Sequence, residues 1–220
     1  MEVIMSFRPE SYNYSLKKIQ PHVIETRARL MSDHYRQLET FYNSERATLE
    51  ERMEKYEKES NVEYDDQKID YICELITEIE VGYRRNLRMS TVMLAYSFLE
   101  NSMELICREH EKNTNSSKSV SDMDGKGICR SKNYLKEIAG YDFGKIGEWS
   151  RACDLSKVRN CLVHSEGNLD RYKYRDKLSN IVAITKGLEI EEEHLLSVSS
   201  EYVLASIDNI KQLLIRLQKS

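Results

Sequence analysis

An all-α fold is predicted by three features of this 220-residue sequence. Only 2 prolines and 8 glycines are present, so few residues interrupt regular structure. Charged residues make up 32% of the chain, and apolar residues recur among them at intervals of three and four. That spacing places apolar side chains on one face of a helix and charged side chains on the other. The sequence therefore predicts long amphipathic helices around an apolar core.

The first half of the chain contains two long periodic regions. Residues 20–60 fit one amphipathic helix or two in series. Apolar positions that recur from Ile69 to Ile106 predict a further helix, about 45 residues long in all if Gly82 is tolerated, with a bend expected near that glycine. Residues 113–130 are rich in Asn, Ser, Asp and Gly, which predicts a polar connection.

Shorter elements are predicted in the second half. A short helix is expected over 131–139, and a longer one over 144–164 with Gly167 as its left-handed C-cap. β-Branched residues around Lys186-Gly187 predict a small hairpin within 181–198. An unambiguous helix then ends the chain, with Ser199 or Ser200 as its N-cap.

Composition excludes several classes of protein. The formal net charge is −4, so a polyanionic partner requires a local basic patch. No apolar run reaches the length of a membrane span, about 18 residues, and the N-terminus lacks the apolar core of a secretory signal. Five scattered cysteines without a CxxC pair predict reduced thiols in a cytoplasmic protein and no zinc site. P-loop, dinucleotide-glycine, HExxH and Gly-x-Ser-x-Gly patterns are missing.

One segment, LSKVRNCLVHSEG (155–167), combines residues suited to chemistry. It places Arg159, Asn160 and His164 near the end of an otherwise apolar helix. At about 100° per residue, Arg159 and His164 lie about 140° apart, whereas Asn160 and His164 share a face. A lone helix therefore does not present all three side chains together, but two copies meeting around a two-fold axis can.

The hexamer RNCLVH resembles the Arg-x4-6-His signature of the HEPN superfamily, usually Arg-Asn/Asp-x-x-x-His late in a four-helix bundle. The segments VMLAYSFLENSMELIC (92–107) and GKGICRSKNYLKEIAGYDF (125–143) resemble the earlier bundle helix and the region before the motif helix. The resemblance covers roughly residues 85–170. It implies a HEPN-like up-and-down four-helix bundle over 63–220 behind a helical extension, 1–62, or one continuous domain.

The resemblance implies a metal-independent RNA endonuclease that acts as a homodimer, without a cofactor, and leaves a 2′,3′-cyclic phosphate. His164 would transfer protons near neutral pH, Arg159 would hold the phosphate oxygens, and Asn160 would orient His164 or donate to the phosphate. Glu100 and Tyr96, on the earlier helix, are expected to support Arg159. The family also implies toxin-antitoxin or anti-phage defence, with an antitoxin or other defence protein as partner. The spacing between arginine and histidine is weak evidence by itself, because Arg29 and His34 have the same spacing as Arg159 and His164.

Three locally basic clusters are candidates for binding RNA, because cations between aromatic residues suit single strands. The first cluster contains Arg84, Arg85 and Arg88, and the second contains Arg130 and Lys132. The third contains Arg171 and Lys173, continues with Arg175 and Lys177, and is interleaved with Tyr172 and Tyr174.

An alternative function stays open. Arg159 and His164 would then form a buried polar network at a dimer interface, or bond the last carbonyls of their helix. The chain would be a non-catalytic HEPN-like dimeric interaction or scaffold module whose N-terminal helices bind a partner protein. The enzyme requires accessible motif side chains, whereas the scaffold requires exposed apolar side chains on residues 20–60.

Overall fold

A computed structural model of the protein describes residues 20–59 and 64–219. The N-terminal residues 1–19, in which no secretory signal is predicted, and the predicted domain boundary at 62/63 lie outside the described residues. The described chain is mainly helical with one two-stranded antiparallel sheet, which confirms the predicted all-α class with a small hairpin. Among the described helices, none has an apolar stretch of the length that crossing a lipid bilayer requires.

Helix α1 (Pro21–Glu59) is one continuous helix of 39 residues. Proline stands at its first position, where a missing backbone N–H costs no hydrogen bond. The first half is anchored through Ile24 and Tyr35, both fully buried. The second half has no buried side chain among those described, and it packs against α2 (Tyr64–Thr77).

Helix α2 continues into a π-helical segment, Glu78–Arg84, and then into α3 (Arg85–Thr114). Gly82, where the sequence predicts a bend, lies within the π-helical segment. A wider π turn rotates the side chains that follow it relative to those before it. This segment therefore sets which face of α3 meets the core.

The connection predicted over 113–130 contains a short 3-10 turn, Val120–Asp122, before α4 (Ile128–Glu137). Helix α4 begins before the predicted start at residue 131. Gly127 precedes it with φ 54° and ψ −135°, a conformation that side chains disfavour, and turns the chain directly into the helix. The helix propensities of the residues do not by themselves predict that α4 starts directly after a glycine.

Helix α5 (Gly147–Ser165) begins slightly after the predicted residue 144, because Phe143–Lys145 forms a 3-10 turn. The side chain of Asp142 caps that turn by accepting a hydrogen bond from the backbone N–H of Gly144 at 3.1 Å. A 10-residue helix, α6 (Arg175–Ile184), was not predicted.

The hairpin consists of β1 (Leu188–Glu191) and β2 (Leu195–Val198). The small hairpin predicted within 181–198 is confirmed over 188–198, but residues 181–184 belong to α6, and the chain turns at Glu192 and Glu193, which have positive φ. Gly187 (φ 83°) instead joins α6 to β1. A Cβ there would lie 3.1 Å from the backbone nitrogen of Tyr202, so close packing requires the glycine.

Helix α7 (Ser200–Lys219) ends the described chain. The side chain of Ser199 accepts from the Tyr202 N–H at 3.2 Å, which confirms the predicted N-cap. Helix α7 packs against α1, α3 and α5, and these four helices contribute to one apolar core. Fully buried members include Ile24, Tyr35, Leu99, Met103, Leu155, Leu162 and Leu178.

Candidate functional site

The two faces of α5 differ in burial. The buried face consists of Ala152, Leu155, Val158, Cys161, Leu162 and Ser165. The opposite face carries Ser156, Asn160 and His164 at intervals of four residues, so they form a polar row along the helix. Val163, 38% exposed, lies beside the end of this row.

Arg159 lies at the border between these faces and points toward α3. Its guanidinium carbon is 5.4 Å from the centroid of the Tyr96 ring, which is within range of a cation–π contact. Its Nη1 donates to Oδ1 of Asn160 at 3.0 Å. Its Nε is buried and has no hydrogen-bond partner among the described residues. The guanidinium is therefore held in place while retaining an unused donor.

Tyr96 supports this arrangement from α3. The ring is 6% exposed, and its hydroxyl shares a hydrogen bond with the hydroxyl of Ser156 at 3.1 Å. Burial raises the Tyr96 pKa, and the charge of Glu100 adds to this, while Ser156 and Arg159 act in the opposite direction. The net effect is a raised pKa, so the phenol is neutral at physiological pH. It serves Arg159 as a stacking surface.

Asn160 and His164 lie one helical turn apart on the open face. Asn160 uses its side-chain oxygen to accept from Arg159, and none of the described residues accepts from its amide nitrogen. His164 is exposed and makes no hydrogen bond or ion pair within the described chain. Its imidazole is therefore accessible to a ligand or to a second copy of the protein.

The turn after His164 is fixed by an arginine from α3. Glu166 (φ 53°) and Gly167 (φ 81°) are both left-handed, which confirms the predicted glycine at the helix end. Arg85 donates to the carbonyl of Glu166 at 2.8 Å and to that of Leu196 at 3.3 Å. A Cβ on residue 167 would lie 2.9 Å from Nη2 of Arg85. The glycine thus makes room for a guanidinium that joins α3, the end of α5 and β2.

Arg84 and Arg88, predicted as RNA-binding residues, are held in internal ion pairs. Arg84 is 7% exposed and donates to Glu80 at 2.9 Å, while Arg88 donates to Glu39 at 2.9 Å. Burial by itself raises the Glu39 pKa, but hydrogen bonds from Arg88 and Tyr35 and the charges of both arginines outweigh it. The Glu39 pKa therefore lies below its ordinary value. Through Glu39, Arg84 joins the π-helical segment to α1 and Arg88 joins α3 to α1.

Arg130 and Lys132 lie on α4, and Arg130 lines a cleft of about 590 Å³ between α3, α4 and the connection preceding α4. Glu100 also lines it, and its carboxylate lies against the backbone of Gly127. Glu100 makes no ion pair with Arg159 within the described chain, and its charge acts on Tyr96. The ionisable lining residues are balanced in charge: Glu100, Glu104, Glu111, Arg108, Lys112 and Arg130.

Arg171 and Lys173 are exposed just beyond α5. A 3-10 turn, Leu169–Arg171, leads to them, and the Asn168 side chain caps it by accepting from the Arg171 N–H at 3.2 Å. No described residue pairs with either charged group, and the ammonium of Lys173 lies 5.6 Å from the centre of the Tyr174 ring. Of the predicted RNA-binding residues, these two are the most accessible.

The cysteines offer no evident nucleophile inside the motif helix. Burial raises the pKa of the Cys161 thiol to about 11 and that of Cys107 to about 12, so both are protonated at neutral pH. Within the described part of the chain, no three His, Cys, Asp or Glu residues are grouped closely enough to hold a metal ion.

The fold brings Arg159, Asn160 and Tyr96 together, with Glu100 nearby, but leaves His164 apart from Arg159. Sequence reasoning missed Ser156, which bonds Tyr96; its position four residues before Asn160 was the available signal. Comparison with known protein families, with curated proteins and with solved structures finds no match.

Proposed function

We propose that this protein is a metal-independent RNA endonuclease of the HEPN type that acts as a homodimer. The observation that carries the proposal is the state of His164, which is exposed and unpartnered in the described chain and lies one turn from the free amide of Asn160. A histidine with a structural role near a helix end would instead bond a carbonyl or a carboxylate. The resemblance of the motif segments supplies the reaction class.

In the proposed reaction the RNA 2′-hydroxyl attacks the adjacent phosphorus, and the bond from phosphorus to the 5′-oxygen breaks. His164 of one copy takes the proton from the 2′-hydroxyl, and His164 of the other gives a proton to the leaving 5′-oxygen. The product ends are a 2′,3′-cyclic phosphate and a 5′-hydroxyl. Arg159, held by Tyr96 and Asn160, binds the phosphate oxygens on which negative charge develops.

The geometry of α5 supports the homodimer in this proposal. Arg159 and His164 point about 140° apart, so one chain does not direct both to the same phosphate. A two-fold contact between α5 helices brings the arginine of one copy toward the histidine of the other. Val163 on α5, 38% exposed, provides apolar surface for such a contact. A cytoplasmic location, which the scattered cysteines predict, and a role in toxin-antitoxin or anti-phage defence, which the resemblance implies, belong to the proposal.

The test is RNA cleavage in the presence of EDTA by wild-type protein, Arg159→Ala and His164→Ala. Wild type is expected to cleave and to leave 2′,3′-cyclic phosphate ends, and each substitution is expected to lower the rate about 10²–10⁴-fold. His34→Ala is the matched control, because His34 is exposed on α1 and follows Arg29 at the same spacing. Absence of wild-type cleavage, or cleavage that survives both motif substitutions, would overturn the proposal.

A scaffold function is the second candidate, and an exposed aromatic cluster favours it. Phe41 is 53% exposed and packs edge-to-face on Tyr42 with 5.6 Å between ring centroids. Tyr42 stacks on Tyr83 at 6.0 Å, and Tyr83 is also 53% exposed. Exposed aromatic groups mark many protein interfaces. The scaffold predicts no RNA cleavage by wild type, whereas the enzyme predicts that Phe41→Ala leaves cleavage unchanged.

A further inference from the structure

Tyr174 presents an exposed aromatic ring between cationic side chains. The residue is 48% exposed and stands immediately before α6 as its N-cap. The ammonium groups of Lys173 and Lys177 lie 5.6 and 5.7 Å from the centre of its ring. Tyr172, 9% exposed, packs edge-to-face against it at 6.0 Å and anchors it to the core. The ring is thus supported from inside and accessible from outside.

This segment contains more cationic side chains than carboxylates. Within residues 170–177, Arg175 pairs with Asp170, which removes one cation and one carboxylate. Arg171, Lys173 and Lys177 then remain against Asp176 alone, and all four are exposed. The segment therefore carries a net positive charge in a protein whose overall net charge is −4.

The backbone around Tyr174 is fixed by hydrogen bonds. The Leu169 N–H donates to the His194 carbonyl at 2.7 Å, and the Arg175 N–H donates to the Tyr172 carbonyl at 3.2 Å. The side chain of Arg175 donates to the Glu193 carbonyl at 3.3 Å, which ties the segment to the hairpin turn. A site held in its binding conformation loses less entropy when a ligand binds.

We infer that Arg171, Lys173, Tyr174 and Lys177 form a stacking platform that binds single-stranded RNA outside the motif helix. An unpaired base stacks on the face of Tyr174, while the lysines and Arg171 contact the flanking phosphates. Duplex RNA does not fit this chemistry, because its bases are already stacked and paired. The platform begins at Arg171, six residues after α5 ends at Ser165, so it is adjacent to the end of the motif helix along the chain. This inference deepens the proposed function and names its substrate as single-stranded.

The experiment measures binding of a fluorescein-labelled 12-nucleotide oligouridine RNA to full-length His164→Ala protein, in which cleavage is disabled. Adding Tyr174→Ala is expected to weaken binding at least about tenfold, the loss typical of one stacked base, whereas Tyr174→Phe keeps it within about twofold. Tyr71→Ala is the matched control, because Tyr71 is 59% exposed on α2, away from the platform in sequence. Lys173→Ala with Lys177→Ala is expected to reduce the salt dependence, with the slope of log K against log[salt] smaller by about 1.4.

Equal binding by Tyr174→Ala and Tyr174→Phe would overturn the platform, as would no measurable binding by the parent protein. An equal loss for single-stranded and duplex RNA would also overturn it, because charge rather than stacking would then explain the binding. The proposed nuclease fails separately. If binding depends on Tyr174 but wild-type protein does not cleave RNA, the platform is supported and the nuclease is not. If cleavage requires Arg159 and His164 but binding does not depend on Tyr174, the nuclease is supported and the platform is not.

Discussion

The guanidinium of Arg159 stacks on the ring of Tyr96, with 5.4 Å between the guanidinium carbon and the ring centroid. This contact joins the motif helix α5 to α3, and the Tyr96 hydroxyl adds a hydrogen bond to Ser156 on the same helix. The arginine of the motif is thus held by a residue more than 60 positions away in the sequence. An arginine restrained in this way loses little entropy when it binds a phosphate.

Replacing Tyr96 separates stacking from hydrogen bonding. Tyr96→Phe keeps the ring and loses only the bond to Ser156, so RNA cleavage is expected to stay within about threefold of wild type, consistent with a net hydrogen-bond contribution near 1 kcal/mol or less. Tyr96→Leu removes the ring face and is expected to lower kcat/KM about tenfold or more, because Arg159 is no longer held. Steady-state kinetics, with urea unfolding to correct for stability, provides the measurement. Equal activity of both variants would contradict this role.

Gly127→Ala is expected to destabilise the protein through two separable effects. The positive φ of 54° disfavours a side chain, and the new Cβ would collide with Oε1 of Glu100. Gly140→Ala is the control, because Gly140 has φ 77° but open space around it. Gly127→Ala should lower the unfolding free energy more than Gly140→Ala does. Adding Glu100→Ala to Gly127→Ala should recover about 0.5–3 kcal/mol of unfolding free energy. Strict additivity in this double-mutant cycle would show that the collision is absent.

Glu39 is expected to make stability depend on pH in the acid range. Its pKa is lowered in the fold relative to the ordinary value of 4.5, so the ionised form stabilises the native state. That contribution is fully present above about pH 4.5 and is lost as the pH falls through the lower folded pKa. Glu39→Gln should cost about 3–5 kcal/mol of unfolding free energy at pH 7, because Arg88 loses its buried carboxylate partner and Arg84 keeps only the Glu80 carboxylate within the described chain. It should also reduce the loss of stability between pH 7 and pH 3.

Glu45→Gln serves as the control for Glu39, because Glu45 is exposed on the same helix and is expected to change the unfolding free energy by less than about 0.5 kcal/mol. Urea unfolding between pH 3 and pH 7 measures both variants. If Glu39→Gln loses as much unfolding free energy as wild type between pH 7 and pH 3, another carboxylate causes the loss of stability in acid.

Arg85→Ala is expected to loosen the end of α5. The carbonyls of Glu166 and Leu196 would lose their donor, at a cost of about 1–3 kcal/mol in unfolding free energy. Hydrogen exchange at the Gly167 and Leu196 amides, which close the same turn, should accelerate. Arg151→Ala, at an exposed position earlier on α5, should change neither quantity. Unchanged exchange in Arg85→Ala would contradict the assigned clamp.

Helix positions were largely predictable because periodicity is a local property of the sequence. The motif helix, its left-handed end at Gly167 and the cap of the last helix at Ser199 all follow from spacing and from residue type. The hairpin lies within the predicted range, but its turn at Glu192 and Glu193 was not predictable, because glutamate is not a usual left-handed residue. Gly187 is required by close packing against Tyr202, a contact that no local pattern reports. Helix α6 was not predicted because its β-branched residues Ile181, Val182 and Ile184 favour a strand, whereas burial of Leu178 and Ile181 in the core stabilises the helix.

The sequence by itself determined the helical class, the amphipathic faces and the presence of Arg159, Asn160 and His164 on one helix. Only the tertiary structure decided what each charge does, because a guanidinium finds its partner through space. Arg84 and Arg88 pair with carboxylates brought in by other turns and helices, and Arg85 binds two backbone carbonyls, while Arg171 and Lys173 remain open to solvent. Desolvation and pairing, which depend on the packed helices, separate structural cations from those available to a ligand.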